Sequence, residues 1–300
     1  MSIVEKAAEK LKALPLESGQ PQPLQTETKP VPKAPMVERL QERTRMLDQP
    51  AESAPLCVVD LAALKRMSVL PADDDAERRL ADELRRVKRP LLDNAFGAGA
   101  ETFARAKRIV VTSAEAGEGK TFTALNLALS LAHETDFEVL LVDGDIPKSD
   151  ITRIFGLSGE GGLMDVLADE QRAPAEVIVR TDVPNLLVVP AGKRHPLAAE
   201  LFRSRRMEYV LDQWGGQHRG RLMVFDSPPL LAASESQVLA SHMGQVVVVV
   251  AAGRTRRQAV NSALQRLNDL QYVGLILNMS DLSADESYYD NDHESHSRDR

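Results

Sequence analysis

The stretch KRIVVTSAEAGEGKT, residues 107–121, decides the fold of this chain. Its first half is a short apolar run, and it is followed by FTALNLALSLA, which has the apolar content of a buried helix. Gly117 and Gly119 allow successive backbone N–H groups to turn toward one anion, and the following helix presents the positive end of its dipole there. The stretch predicts a strand, a phosphate-binding loop and a helix; the alternative is a tight connection that binds nothing.

The loop fits the P-loop pattern, a glycine, four residues and then GK[ST], except that Ala114 fills the first glycine position. In this pattern Lys120 reaches the terminal phosphates and the Thr121 hydroxyl ligates magnesium. The expected nucleotide-binding residues of the loop are Ala116, Gly117, Glu118, Gly119, Lys120, Thr121 and Phe122.

Two further apolar runs end in aspartate. EVLLVDGD carries Asp143 and Asp145, and RLMVFDSPP carries Asp226. A carboxylate that closes a buried strand is costly unless it faces a ligand or a cation, although a single such aspartate is more often part of a turn. Three of them in a chain with a GEGKT loop predict a Mg²⁺–nucleotide site, with Thr121, Asp145 and Asp226 as the metal-binding set.

Apolar runs and helical stretches alternate from Lys107 onward, which is typical of an α/β fold with a mostly parallel sheet and helices on both faces. The expected strands are RIVVTS, EVLLVD, NLLVVPA, RLMVFD, QVVVVVAA and VGLILN. The expected helices include TFTALNLALSLAHE, PLAAELFRSRRMEYVLDQW, SESQVLASHM and TRRQAVNSALQRLNDL.

The two ends of the chain differ from its centre in composition. Residues 1–12 have a helical apolar stripe, residues 13–56 are a proline-rich linker by composition, and residues 281–300 form an acidic tail. The folded domain is therefore expected over residues 57–280. We expect the single cysteine, Cys57 in LCVVDL, to be a buried structural thiol.

Charge and hydropathy exclude several classes of function. The net charge is −7, with no basic surface of the kind that binds nucleic acid. The apolar run QVVVVVAA is far shorter than the roughly 20 residues of a membrane span, and the N-terminus lacks a signal-peptide core. These features predict a cytoplasmic protein.

A charged helix is expected over residues 75–89, with Asp73 to Asp75 at its start and Pro90 at its end. Its residues Glu83, Arg86 and Arg89 have a spacing of three and would lie on one face. A solvated charged face is the usual interpretation of such a stripe.

The motifs together resemble a known family. VLLVDGD resembles the Walker A′ motif of the MinD/ParA-like P-loop proteins, and SAEAGEGKT and FDSPPLL resemble the Walker A and B motifs of the bacterial tyrosine kinases (BY-kinases) of exopolysaccharide synthesis. ELRRVKRPLLDNAF, PAGKRHPLAAELF and VLASHMGQVVVVVAAGRT are similar to the exosortase-associated tyrosine autokinases. The resemblance covers residues 57–280 and the opening MSIVEKAAEKL.

This resemblance implies an ATP- and Mg²⁺-dependent tyrosine autokinase. Lys120, Asp143 and Asp145 would be its catalytic residues, with Asp143 orienting or accepting the proton of the tyrosine hydroxyl, and Asn278 would lie near the adenine. Glu83, Arg86 and Arg89 would join subunits into a ring. A membrane-embedded chain-length-determinant protein would be the activator that recruits the kinase to the inner face of the cell membrane, and a tyrosine phosphatase is a further implied partner.

Two positions depart from the family pattern. Pro147 fills the place of the usual arginine after Asp145, with Lys148 and Ser149 following it, and Ala116 replaces a usual proline. These changes bear on the rate of catalysis more than on nucleotide binding.

The chain has four tyrosines, and Tyr288 and Tyr289 sit together in ADESYYDNDHE of the acidic tail. We expect this pair to accept the phosphate in trans, with an aromatic docking motif as the alternative. Tyr209 lies in an apolar helical pattern and Tyr272 opens a strand, so both are expected to be packed and unavailable.

Two other functions use the same fold. One is a MinD/ParA-like ATPase switch, which usually carries a lysine early in the loop where this chain has Glu115. The other is a scaffold that binds ATP without transferring phosphate.

Overall fold

The computed structural model describes residues 56–98, 105–215, 220–267 and 272–280. The amphipathic segment 1–12, nearly all of the linker 13–56, the tail 281–300 and the pair Tyr288 and Tyr289 lie outside the described residues, so their assignments stay predictions. Among the described residues, no helix is both long and apolar enough to cross a membrane.

Helices and strands alternate along the described chain. In order they are β1 (Leu56–Cys57), α1 (Leu61–Arg66), α2 (Asp74–Phe96), β2 (Arg108–Ser113), α3 (Lys120–Ala132), β3 (Glu138–Asp143), α4 (Asp150–Ile154), α5 (Leu163–Ala168), a 3₁₀ turn (Pro174–Val177), β4 (Val179–Thr181), β5 (Leu186–Val189), α6 (Ala198–Phe202), α7 (Arg205–Trp214), β6 (Arg221–Asp226), α8 (Ser234–Ser241), β7 (Gln245–Ala251), α9 (Arg257–Gln265) and β8 (Tyr272–Asn278).

The described strands form one sheet in the order β1-β4-β5-β3-β6-β2-β7-β8. All neighbouring pairs are parallel except β4 and β5, which are antiparallel. Strands β2 and β6 are buried along their whole length, because helices cover both faces of the sheet. One apolar cluster forms on each face. The predicted α/β class is confirmed, and the six predicted strands are all present.

The expected end of the charged helix at Pro90 is wrong. α2 begins after its cap Asp73, as expected, but continues through Pro90 to Phe96. Proline removes one backbone hydrogen bond. The extra turns bury Leu91, and the Phe96 ring stacks on Phe137 with centroids 4.9 Å apart. This packing outweighs the local preference of proline.

The single helix expected over residues 196–214 is also wrong, since two helices occupy this stretch. The chain turns after α6, and the Ser204 side chain caps α7 by accepting a hydrogen bond from Met207 N. A serine cap satisfies an otherwise unpaired N–H group at a new helix start.

The prediction that Cys57 is a buried thiol is confirmed. Its Sγ donates to the carbonyl of Phe155 at 3.4 Å, and burial raises the pKa of the thiol. A raised pKa keeps the thiol protonated and unreactive.

Candidate active site

The loop between β2 and α3 has the backbone conformation that its glycines predict. Gly117 and Gly119 adopt φ angles of 83° and 93°, in the left-handed region that other residues rarely enter. Gly119 is also the residue that precedes the first turn of α3. The loop therefore leads directly into a helix N-terminus, where the unpaired N–H groups and the helix dipole favour an anion.

The side chain of Lys120 turns back into a cluster of carboxylates below the loop. Its Nζ lies 2.5 Å from Asp145 Oδ2 and 3.7 Å from Asp226 Oδ1. The neighbouring Thr121 hydroxyl donates to Asp226 Oδ2 at 2.7 Å. Lys120, Asp145 and Asp226 are all nearly inaccessible to solvent. The structure thus brings together the predicted lysine and the three predicted metal-binding residues.

The register of two neighbouring strands explains how these carboxylates meet. β3 and β6 are parallel, and their last residues Asp143 and Asp226 are paired across the sheet. Carboxyl ends of parallel strands meet at one edge of the sheet, so two strands that each end in aspartate place like charges side by side there.

Asp143 is held by a residue that the sequence patterns do not single out. Thr152, on α4, donates to Asp143 Oδ2 from its backbone N at 2.8 Å and from its hydroxyl at 2.7 Å. The same hydroxyl accepts from Ala191 N at 2.8 Å, after β5. A lone threonine in ITRIF carries no sequence signal for this role, because three separate segments must first come together.

Burial changes the protonation of this cluster. It raises the pKa of Asp226 to about 7 and that of Asp143 to about 6, despite the hydrogen bonds from Thr121 and Thr152. Burial also opposes the charge of Lys120, but Asp226 and Asp145 outweigh it, so the pKa of the lysine is raised. Perturbed pKa values of this size mark a candidate functional site.

The cluster suits a divalent cation. Among the described residues, Asp143 Oδ1 and Asp226 Oδ1 are buried and have no hydrogen-bond partner, which is costly for an oxygen atom. The available groups are carboxylates and a hydroxyl, the hard oxygen ligands that Mg²⁺ prefers. Within the described part of the chain, no group of three or more His, Cys, Asp or Glu side chains is placed to hold a metal ion by itself. In magnesium–nucleotide sites, phosphates and water supply further ligands.

The remaining predicted nucleotide-binding residues surround the loop. Asn278, at the end of β8, donates from Nδ2 to the carbonyl of Glu118 at 2.9 Å, and a Cβ on Gly119 would overlap this amide. Ala116 is exposed at the loop's tip, and Phe122 is half-buried in the first turn of α3. The contact of Asn278 with adenine stays a prediction.

The predicted interface residues lie on the surface of the protein. Glu83, Arg86 and Arg89 are exposed on α2.

The expectation that Tyr209 is packed is wrong, since its side chain is 47% exposed on α7 with the Arg206 guanidinium over its ring. The apolar face of α7 contains the fully buried Met207, Val210 and Leu211, and Tyr209 lies outside that stripe. Tyr272 is half-buried at the start of β8.

Comparisons with known proteins decide the family. Residues 106–277 match the family model described as an AAA domain. The chain is 30% identical over 184 residues to the tyrosine-protein kinase YwqD of Bacillus subtilis, covering 61% of this chain and 76% of that relative. It is 31% identical over 175 residues to the tyrosine-protein kinase CpsD of Streptococcus agalactiae, covering 57% of this chain and 75% of that protein.

This chain belongs to the bacterial tyrosine-protein kinases.

Solved structures agree with this assignment. The kinase domain of the Escherichia coli tyrosine kinase ETK superposes on this chain with a TM-score of 0.55 at 26% identity. The match covers 65% of this chain and 76% of the ETK chain. The predicted BY-kinase resemblance is confirmed. Membership of this P-loop family implies that the chain binds a nucleotide.

Proposed function

We propose that the chain is an ATP-dependent tyrosine autokinase of exopolysaccharide synthesis or export, of the exosortase-associated type, with residues 57–280 as its kinase domain. The observation that carries the proposal is the buried cluster of one lysine and three carboxylates directly below a glycine loop. Proteins rarely bury several like charges together unless a partner or a ligand compensates them. Phosphoryl transfer needs this arrangement, since it depends mainly on positioning and charge neutralisation.

Each residue of the cluster has a role in the proposed reaction. Lys120 and the loop amides neutralise the β- and γ-phosphates, while Thr121, Asp145 and Asp226 would hold Mg²⁺, which supplies further neutralisation when bound. The phenol oxygen forms a bond to the γ-phosphorus, the bond to the β-phosphate oxygen breaks, and ADP leaves. Asp143, with a pKa of about 6, orients the phenol and accepts its proton through Oδ1, which has no hydrogen-bond partner among the described residues.

Tyr288 and Tyr289 are the proposed phosphate acceptors. Each receives the phosphate in trans, from ATP bound in a neighbouring subunit. Tyr209 on α7 is also exposed and is therefore an alternative acceptor. Replacing both tail tyrosines by Phe should remove nearly all phosphotyrosine, measured by mass spectrometry after incubation with Mg-ATP, and Tyr209→Phe is the matched control. Phosphate that persists at Tyr209 or Tyr272 in the double variant would overturn the acceptor assignment.

The exposed stripe of Glu83, Arg86 and Arg89 is the proposed ring interface, because it carries charges of both signs that can pair between copies. Replacing all three by Ala should lower the particle mass in light scattering without changing the melting temperature. Exposed Arg78 and Arg79, on the same helix, serve as the control pair. An unchanged mass in the triple variant would return the stripe to the solvated-surface interpretation.

The resemblance also supports a membrane-embedded chain-length-determinant activator, recruitment to the inner face of the cell membrane, and a tyrosine phosphatase as partners. The proposed activity itself is tested with the purified full chain and Mg-ATP. Phosphotyrosine on the protein supports the kinase. Release of inorganic phosphate without phosphotyrosine supports an ATPase switch, and nucleotide binding without either product supports a scaffold.

A further inference from the structure

The glycine loop is tied to a second loop by a buried glutamate. Glu118 is only 3% exposed, although it lies in a loop that binds phosphate. Its Oε2 accepts from the backbone N of Glu115 at 2.6 Å, and its Oε1 accepts from the hydroxyl of Thr255. A carboxylate so close to phosphates would repel them if it were free, so its two hydrogen-bonded oxygens indicate an anchoring role.

The second loop is the turn between β7 and α9. The Thr255 hydroxyl donates to Glu118 and also accepts from Ala251 N at 3.1 Å. The backbone N of Thr255 donates to the carbonyl of Ala251 at 3.0 Å, which closes the turn. Thr255 therefore fixes the turn internally and joins it to the glycine loop through a single side chain.

The residue before Thr255 is an arginine that faces the glycine loop. One terminal nitrogen of Arg254 lies 3.9 Å from the point where a Cβ on Gly117 would be, and the other lies 3.6 Å from Met279 Sδ. Arg254 is exposed and makes no ion pair with a carboxylate among the described residues. By contrast, Arg108 and Arg221 are paired with carboxylates.

We propose that Arg254 binds the nucleotide phosphates in this kinase and that Glu118 and Thr255 position it. This inference rests on the proposed function, since it adds a ligand to the same site. A guanidinium carries several donors in a fixed plane, which suits phosphate oxygens. An arginine without a carboxylate partner at the rim of a phosphate loop has these donors available.

The test measures the dissociation constants of ADP and of a non-hydrolysable ATP analogue for the full chain by calorimetry. Arg254→Ala should weaken binding by about 10-fold or more, since a hydrogen bond to a charged group contributes roughly 1.5–3 kcal/mol. Arg254→Lys should keep part of the affinity. Arg256→Ala, two residues away and equally exposed, is the matched control and should leave both constants unchanged.

The positioning role has its own test. Thr255→Val should weaken binding by about 3-fold or more, and Thr255→Ser should restore it because the hydroxyl returns. In the double variant Arg254→Ala/Thr255→Val, the two losses should not add, since both act through one guanidinium. Fully additive losses would show that Thr255 acts independently of Arg254 and would overturn the positioning role.

The outcomes separate this inference from the proposed function. Unchanged nucleotide affinity in Arg254→Ala overturns the inference, even if the wild type makes phosphotyrosine. A wild type that binds nucleotide through Arg254 but makes no phosphotyrosine overturns the proposed kinase activity and leaves the inference intact. A wild type that binds neither nucleotide overturns both.

Discussion

Strands β3 and β6 run side by side, and their two ends have opposite electrostatics. At the amino end the first residues, Glu138 and Arg221, are paired in register and carry opposite charges. At the carboxyl end the last residues, Asp143 and Asp226, are paired in register and carry like charges. The same two strands therefore stabilise one end of the sheet and concentrate negative charge at the other.

The amino end satisfies its charges within the protein. Arg221 donates to Glu138 Oε2 at 2.9 Å and to the Trp214 carbonyl at 3.2 Å. Nearby Arg108 is paired with Glu208 and Asp212. A cavity of about 360 Å³ lies here, but the two buried arginines that line it are fully paired. This end has a structural role.

The carboxyl end leaves its charges incompletely satisfied. One lysine, Lys120, faces Asp145 and Asp226, while Asp143 accepts from two neutral donors, the backbone N and the hydroxyl of Thr152. In the part of the chain that the structure describes, two carboxylate oxygens at this end have no hydrogen-bond partner. The two ends differ in compensation and not in burial of charge, and the incomplete compensation is what marks the carboxyl end as the candidate site.

The largest expected effect comes from removing the buried cation at each end. Lys120→Met should lower autophosphorylation by about 100-fold or more, because a positioned charge that stabilises the transferred group is lost. Arg221→Met should instead lower the free energy of unfolding by about 2 kcal/mol, because it removes a buried donor and leaves the Trp214 carbonyl as well as Glu138 without its partner. Phosphotyrosine assays and urea unfolding measure the two effects.

The contrast between the two ends of the sheet would be contradicted if Lys120→Met kept its activity or if Arg221→Met lost activity and not stability. Normal phosphotyrosine in a folded Lys120→Met protein would remove the lysine from the proposed chemistry. A loss of activity in Arg221→Met with unchanged stability would show that the amino end takes part in the reaction.

A smaller effect concerns pH in the nucleotide-free protein without added divalent cation. Burial raises the pKa of Asp226 to about 7, so the folded protein binds more protons than the unfolded chain between about pH 4 and 7. This carboxyl therefore destabilises the folded state increasingly as the pH rises through that range. Asp226→Asn removes the ionisation, so the stability of the variant relative to wild type should rise by about 2 kcal/mol from pH 5 to pH 8.

Thermal or urea unfolding at the two pH values checks this result, and Mg²⁺ should reduce the difference because it compensates the wild-type charge. A difference between variant and wild type that is the same at pH 5 and pH 8 would contradict the uncompensated charge at this end of the sheet.

The smallest effect is expected from Glu138→Gln at the amino end. The Glu138 side chain is 41% exposed, so water screens its attraction to Arg221. The substitution should cost about 1 kcal/mol or less in urea unfolding, with no change in phosphotyrosine. If Glu138→Gln lowered the free energy of unfolding well below that of Arg221→Met, water would not be screening the Glu138–Arg221 ion pair as the exposure of Glu138 predicts.

Much of the fold could be predicted because local patterns and global structure agree. The six main strands follow from their apolar runs, and the glycine loop follows from Gly117 and Gly119, whose conformations other residues adopt only with strain. The errors occur where tertiary packing overrides local preference, as when the burial of Leu91 carries α2 through Pro90. The prediction for Tyr209 is wrong because the buried stripe of α7 follows a spacing of three and four residues, through Met207, Val210 and Leu211, and Tyr209 falls outside that spacing.

The sequence by itself determined the kinds of groups that the site contains, since Lys120, Thr121 and the strand-end aspartates follow from motifs that each lie within a few consecutive residues. Only the tertiary structure decided how those groups are compensated. Three features join segments that are distant in the chain: the hydrogen bond of Thr152 with Asp143, that of Thr255 with Glu118, and the position of Arg254 beside the glycine loop. Local sequence fixes backbone conformation and burial pattern, but a hydrogen bond between distant segments exists only once the sheet has set their register.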